Sequence, residues 1–420
     1  MSGKPGAMRH RLSDVGLIDA VQRATFRYFW DFADPASGLA RDRFGGDDRW
    51  LAIGGSGFGA MAIVVAAERG WIERGEAVER LHQMLRALEV ADAYHGAFPH
   101  FVTPDGRTIR FGRKDDGADI VETALLVQGL IAAREYFHRD QGQEPWLRGR
   151  IDGLVDAVEW DWFTRDGREA YYWHWSPHHG FAMNHEILGW NECLIALVLA
   201  AGARRNAIDP PVYHNGYTQS RTFLNGRRHE GILLPLGPDG GGPLFFAHYS
   251  FLGLDPRGLK DAYADYFEQN LAHVRINRAY CIRNPKNFAG YGADCWGLTA
   301  SDNQDGYAAH APDNDLGVIA PTAAIASLPY APDLVMPVLR HFHDDLGERL
   351  FGPLGFVDAF NPTVGWFAKT HLAIDQGPIV AMIENHRSGL IWQLVMGNDI
   401  VRRGLARLGF TSPHLVPAVV

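Results

Sequence analysis

The sequence predicts an all-α chain folded as an (α/α)6 toroid with short β-hairpin insertions. Three observations carry that prediction. Helical stretches that are apolar on every side alternate with amphipathic ones, each kind recurs along the 420 residues, and extended patterning is confined to two short segments. A helix that is apolar all round is a buried one, whereas an amphipathic helix covers a core with one face. Six of each kind close into two concentric rings, the inner lined by the outer.

In chain order, amphipathic 14–32 precedes apolar 57–69 (GFGAMAIVVAAER), and amphipathic 74–92 precedes apolar 119–137. Between the latter two, RTIRFG at 107–112 alternates with the two-residue period of a strand. Amphipathic 146–159 is followed by apolar 186–202 (EILGWNECLIALVLAAG); the outer partner expected near 208–223 has the weakest pattern. EGILLPLG at 230–237 is the second extended candidate, and both extended segments read as hairpin-scale insertions. Apolar 244–254, 317–328 and 377–396 then alternate with amphipathic 258–273, 332–346 and 398–408. No linker rich in Pro, Gly or Ser breaks the series. Residues 1–420 are therefore expected to form one domain, with 1–13 as a flexible N-terminus.

Composition narrows the function classes. A content of 46% hydrophobic and 21% charged residues is globular. The net charge of −9 comes without any block of five or more like charges, which argues against nucleic acid or an anionic membrane as partner. No run reaches the ~18 apolar residues of a membrane span. The N-terminal MSGKPGAMRHRLSDVG lacks an apolar leader core. The chain as written is expected in the cytoplasm, or in the periplasm if an export signal has been removed. Cys193, Cys281 and Cys295 form no CxxC pair, so neither a disulfide framework nor a zinc site is predicted. HWSPHH at 174–179 has no carboxylate or Cys at ligand spacing, and GSGFGA at 55–60 lacks nucleotide-loop spacing. No metal or organic cofactor is implied, and nothing sets the oligomeric state.

The carboxylates are the informative residues. Asp119 and Glu122 share one face of the first turn of an oily helix. An ionised carboxylate there must be paired, hydrogen-bonded or shifted in pKa. In a toroid the ends of the inner helices converge on a central cavity, and Glu192, in WNECLIALVL, starts the next inner helix. Glycoside hydrolysis needs one carboxylic acid to protonate the leaving oxygen and a second carboxylate to attack or activate water. Burial raises a carboxyl pKa and supplies the acid. Glu192, with the more apolar flanks, is the candidate acid. Asp375, in DQGP ahead of Pro378, is either an N-cap or a carboxylate at the cavity rim. Each of these acids has a structural alternative as a helix cap or ion-pair member. The loop 290–312 adds Trp296, Tyr307 and Asp302 among several glycines, the makeup of a binding loop. Glu384 and Arg387, three apart, are expected as an internal ion pair, although Arg387 also has the reach for a sugar hydroxyl.

CWGLTASD with DGYAAHAP, GGPLFFAHYSFLGLDPRGL, PTAAIASLPY, FGPLGFVDAFN and AIDQGPIVAMIENHRSGLIW together resemble the bacterial glucoamylase-like domain of glycoside hydrolase family 144. ADIVET and WNEC fit the same pattern, and the likeness runs from residue 24 to 410. The resemblance implies an (α/α)6 toroid and an inverting endo-β-1,2-glucanase that releases short sophoro-oligosaccharides. It also implies Glu192 as general acid, with Asp119 and Glu122 as further essential acids. Asp375 is the base candidate by position alone. Trp296, Tyr307, His248, Tyr249, Asp302, Trp366 and Arg387 are the implied contacts to a β-1,2-linked glucan or gluco-oligosaccharide. One departure is the missing export signal. An exo-acting sophorohydrolase is the close alternative. More distant are a polysaccharide lyase, disfavoured by the acidic cleft, and a non-catalytic sugar-binding protein.

Overall fold

The computed structural model describes residues 11–415. Its helices are α1 (Asp14–Trp30), α2 (Ile53–Glu68), α3 (Arg74–Val90), α4 (Ile120–Tyr136), α5 (Glu144–Ala157), α6 (Leu194–Gly202), α7 (Tyr266–Arg283), α8 (Pro321–Ile325), α9 (Pro332–Arg340), α10 (Gly347–Leu350), α11 (Ala373–Arg387), α12 (Leu390–Gly397) and α13 (Asp399–Arg407). They build an (α/α)6 toroid. The inner ring runs α2, α4, α6, the turns around 244–252, α8 and α11, and it closes where α11 packs on α2. Helices α1, α3, α5, α7 and α9 cover it from outside, with the turns at 212–219 in the place of the weakly patterned sixth partner.

Side-chain chemistry sets the ends of these helices. Ser13 caps α1 by accepting from Gly16 N at 3.1 Å, and the exposed Arg11 pairs with Asp344. The remainder of the expected flexible N-terminus, 1–10, lies outside the described residues. Glu73 and Glu76 form a capping box on α3, and Asp265 caps α7. Helices α2 and α4 are buried almost throughout and meet backbone to backbone. A Cβ on Gly129 would lie 1.9 Å from Gly57 O, so only glycine allows the approach.

Several expected features differ. The 244–254 stretch forms two short 3-10 turns, Leu244–Ala247 and Ser250–Leu252, not one helix. Neighbouring side chains take its backbone groups. Gln128 bonds Tyr249 O and Gly253 N, Tyr330 bonds Ala247 O, Trp392 bonds Phe251 O, and Asn385 bonds Leu252 O. The apolar 377–396 run starts earlier, at Ala373, and breaks at Gly389, whose φ of +71° ends α11. Residues 398–408 do not join the outer ring beside α11, where α1 sits. Their helix, α13, packs along α6 through Gly404 and Gly202. The expected Glu384–Arg387 pair is absent: Glu384 is held by Arg69 at 2.6 Å, and Arg387 by Asp19 at 2.9 Å.

The strands are short antiparallel pairs. Thr108–Ile109 joins a three-stranded ribbon with Phe101–Val102 and Leu51–Ala52, and Leu224–His229 pairs with Ile232–Leu236 as a hairpin. Among the described residues, no helix is long and apolar enough to cross a membrane.

Candidate active site

The first turn of α4 explains its two carboxylates. Asp119 is the N-cap, and its Oδ1 accepts from Val121 N at 3.0 Å and Glu122 N at 2.9 Å. Its Oδ2 accepts from Trp173 Nε1 at 3.2 Å and lies 3.1 Å from His100 Nδ1. With 0% exposure, Asp119 is a fully bonded, buried anchor. Glu122, one turn in, accepts from Gly54 N at 2.8 Å, at the start of α2. A Cβ on Gly54 would stand 2.5 Å from that carboxylate, so the glycine admits it. The other oxygen of Glu122 is 3.7 Å from His100 Nε2.

Glu192 lies in the turn just ahead of α6, not within the helix. The turn is fixed at several points. Gly189 has φ +81°, Asn191 Oδ1 accepts from Cys193 N at 3.1 Å, and Ser250 donates to the Glu192 carbonyl. The backbone is thereby held while the side chain opens into the cavity.

Burial dominates the electrostatics. It pushes Glu192 up to about 7, with the charges of Glu122 and Asp119 acting in the same direction. Burial also pushes Glu122 up to about 7; Asp119 adds to the rise while His100 opposes it. Burial raises Asp119 too, but the hydrogen bond from His100 and the charges of His174 and His100 win, and its carboxyl sits below the usual range. For His100, burial disfavours the charged ring, yet Glu122 and Asp119 outweigh it and lift the imidazole to about 9.

These groups border a cavity of about 600 Å3. Trp50, Phe101, Phe111, Trp173, Phe245, Tyr249 and Tyr307 give it aromatic walls, and Asp42, Arg43, His100, Glu122 and Glu192 its polar face. Aromatic faces beside a few convergent polar groups suit a flat, hydroxyl-rich ligand. A second groove, of about 670 Å3 between Trp30 and Trp146, lies among α1, α3 and α5 and lacks a buried pair of carboxyls.

Next to the cavity is a second acidic group. Asp302, on the hairpin Ala300–Asn303/Gly306–Ala309, pairs with Arg43 at 2.8 Å and accepts from Thr370 at 2.6 Å. Asp358 accepts from Asp302 N at 2.7 Å. Asp358 Oδ1 and Asp375 Oδ2 are both buried without an ordinary donor, and a proton shared between the two carboxyls satisfies both. Burial and then Asp302 push Asp358 up to about 7, and burial and then Asp358 hold Asp375 far above the carboxylate range.

The family model described as Glycoamylase matches residues 184–399. A glucoamylase-type structure from Bacteroides uniformis is 55% identical, with 97% of this chain and 100% of that one covered, at TM-score 0.96. The chain belongs to the bacterial glucoamylase-like family, glycoside hydrolase family 144. Another structure, the endo-β-1,2-glucanase of Chitinophaga pinensis in complex with sophorotriose and glucose, is 48% identical over 96% of this chain and 100% of that one, at TM-score 0.94. A curated relative, the exo β-1,2-glucooligosaccharide sophorohydrolase (non-reducing end) of Parabacteroides distasonis, is 42% identical over 96% of this chain. The chain spans 59% of that relative's length.

Within this glucoamylase-like chain the expected site residues divide. Asp119, Glu122 and Glu192 meet at one end of the inner ring, and Tyr249 and Tyr307 line the cavity. Tyr307, on the hairpin opposite Asp302, is 51% exposed. Asp375 is neither an N-cap nor at the rim. It sits inside the first turn of α11, 1% exposed, behind the wall with Asp358. Asp302 is likewise engaged by Arg43 and Thr370.

Four expected sugar contacts lie elsewhere. Trp296 is a core residue with 0% exposure, and His248 is buried against Ser327 and Tyr330. Trp366 packs its ring on the small cluster of Val318, Ala320 and Ala359. Arg387 ends α11 bonded to Asp19 and Gln22 on α1. The sequence reading missed His100, Arg43, Asp42, Trp50 and Trp173, which come from segments without helical patterning.

Proposed function

We propose that the chain hydrolyses linear β-1,2-glucan, with Glu192 as the general acid. The observation that carries this reading is a carboxyl held up to about 7 at an aromatic-walled cavity that a second carboxyl, Glu122, also faces. An acid of that kind is protonated near neutrality and can deliver its proton to a glycosidic oxygen. As that C1–O bond breaks, a water attacks the anomeric carbon from the other face and gives its proton to Glu122. Asp119 has no free lone pair directed at the cavity and serves to fix the start of α4. The named activities of the relatives support β-1,2 linkage as the substrate class. Inversion is part of the proposal.

A panel of linear β-1,2-, β-1,3-, β-1,4- and α-1,4-glucans, with product sizing over time, tests the reading. Selective shortening of the β-1,2-glucan is expected. Early loss of polymer length marks endo cutting, whereas sophorose accumulating alone marks the exo mode named for the Parabacteroides relative. Turnover of the α-1,4-glucan, or of none of the four, rejects it.

A further inference from the structure

Among the described residues, His100 is the one basic side chain that reaches both carboxylates of the α4 turn, and it comes from outside that helix. Nδ1 is 3.1 Å from Asp119 Oδ2, and Nε2 is 3.7 Å from Glu122 Oε1. Asp119 is held by two backbone N–H groups and the Trp173 indole, so it is a rigid anchor for the ring. Phe111 lies flat on the imidazole, with centroids 4.5 Å apart and planes 15° apart, and Phe101 flanks it at 4.4 Å. Stacked aromatic faces favour a charged ring over a neutral one. The ring is thus fixed on one edge by Asp119 and stacked on one face by Phe111, with the tilted Phe101 beside it and its remaining nitrogen toward Glu122 and the cavity.

We propose that His100 is a positioning residue for the hydrolysis, an imidazolium anchored by Asp119 that orients Glu122 and keeps it available as the ionised, proton-accepting carboxylate. This rests on the reading of the cavity as a hydrolase site. It divides the labour among three acids: Asp119 orients His100, His100 orients and charges Glu122, and Glu122 takes the proton of the attacking water while Glu192 gives one to the leaving oxygen. A carboxylate that orients a histidine, which in turn governs a reacting group, is a recurring way to build such a site. The charged and titratable groups acting on this pair are Asp115 and Asp119 on the His100 side, His174 acting on Asp119 and Asp115, and Asp42 and Glu192 acting at the cavity.

His100 holds the Glu122 value below what burial and Asp119 alone would give. Removing the ring's charge therefore raises it, and a higher pH is needed before Glu122 ionises. In His100→Gln, which retains an N–H near Nε2 but no charge, the acidic limb of the kcat/KM profile moves to higher pH. Activity at about pH 6 falls about tenfold for each unit of that move and recovers as pH rises. KM changes little. An independent reading comes from 15N NMR of the histidine rings, with His100 assigned by its loss in the variant. Both ring nitrogens of His100 are expected protonated at pH 7 in the wild type, and the ring is expected to lose its proton at a lower pH in Glu122→Gln. An active wild type whose acidic limb stays in place in His100→Gln, or whose His100 is neutral at pH 7, overturns the assignment. A wild type inactive on every glucan instead rejects the hydrolase reading, and the NMR titration still reports on the Asp119–His100–Glu122 geometry.

Discussion

Glu122 and Glu192 face one cavity with values near 7 each, and the charge of Glu122 adds to the rise of Glu192. Catalysis needs one protonated and the other ionised. The account therefore expects kcat/KM on β-1,2-glucan to fall on both sides of neutrality, a bell read from initial rates across pH. Asp358 and Asp375 give a stability prediction with its own sign. Their folded values are raised, so the folded chain keeps protons that the unfolded chain releases above about pH 4. Stability from this pair then declines as pH climbs toward 7. Asp375→Asn keeps a donor for Asp358 without the second charge, and its Tm relative to wild type should rise steadily from about pH 5 to about pH 8. A constant or shrinking difference would count against the shared proton. The sequence exposed Asp119, Glu122 and Glu192 because carboxylates beside oily helices have few ways to exist. It did not separate them from Arg387 or His248, since cores use the same residue types for pairing and packing. His100 was invisible because its partners are distant along the chain and their geometry depends on a strand too short to pattern.

The contact between α2 and α4 holds the acidic turn in place, because Gly54 at the start of α2 bonds Glu122 on α4. Gly129→Ala would drive a methyl into the Gly57 carbonyl, and a loss of at least about 3 kcal/mol is expected in denaturant unfolding. Gly149→Ala, at an exposed position in α5 with open space around it, should instead stabilise by about 0.5–1 kcal/mol in the same assay. If the two substitutions shift stability alike, the backbone packing described for α2 and α4 is wrong. Helices such as α1, α2, α3, α4 and α5 were legible because their patterns run for several turns, and α1, α3 and α4 also start with side-chain caps. The 244–254 stretch was not, since an apolar run shows burial without saying who satisfies its backbone. Gln128, Tyr330, Asn385 and Trp392 do so from four other segments. The site turn at Glu192 departs from a helix for a similar reason, with Ser250 and Asn191 taking its backbone groups.

A toroid brings the starts of its inner helices to one mouth, and that topology lets Glu122 and Glu192, far apart in sequence, border one cavity. The alternation of buried and half-exposed helices revealed this ring. The tally of outer partners did not, because α13 has an amphipathic face yet uses it against α6. If Glu192 protonates the leaving oxygen while Glu122 activates a water on the opposite face of the sugar, a β-linkage should release the α-anomer first, as NMR of the nascent products would show. First appearance of the β-anomer would require a covalent route. The most direct check of the central claim is the initial rate of Glu192→Gln on linear β-1,2-glucan, measured beside the wild type and with folding verified. The account predicts a fall of at least ~10²-fold with substrate binding retained. A variant that cleaves the glucan at the wild-type rate would contradict it.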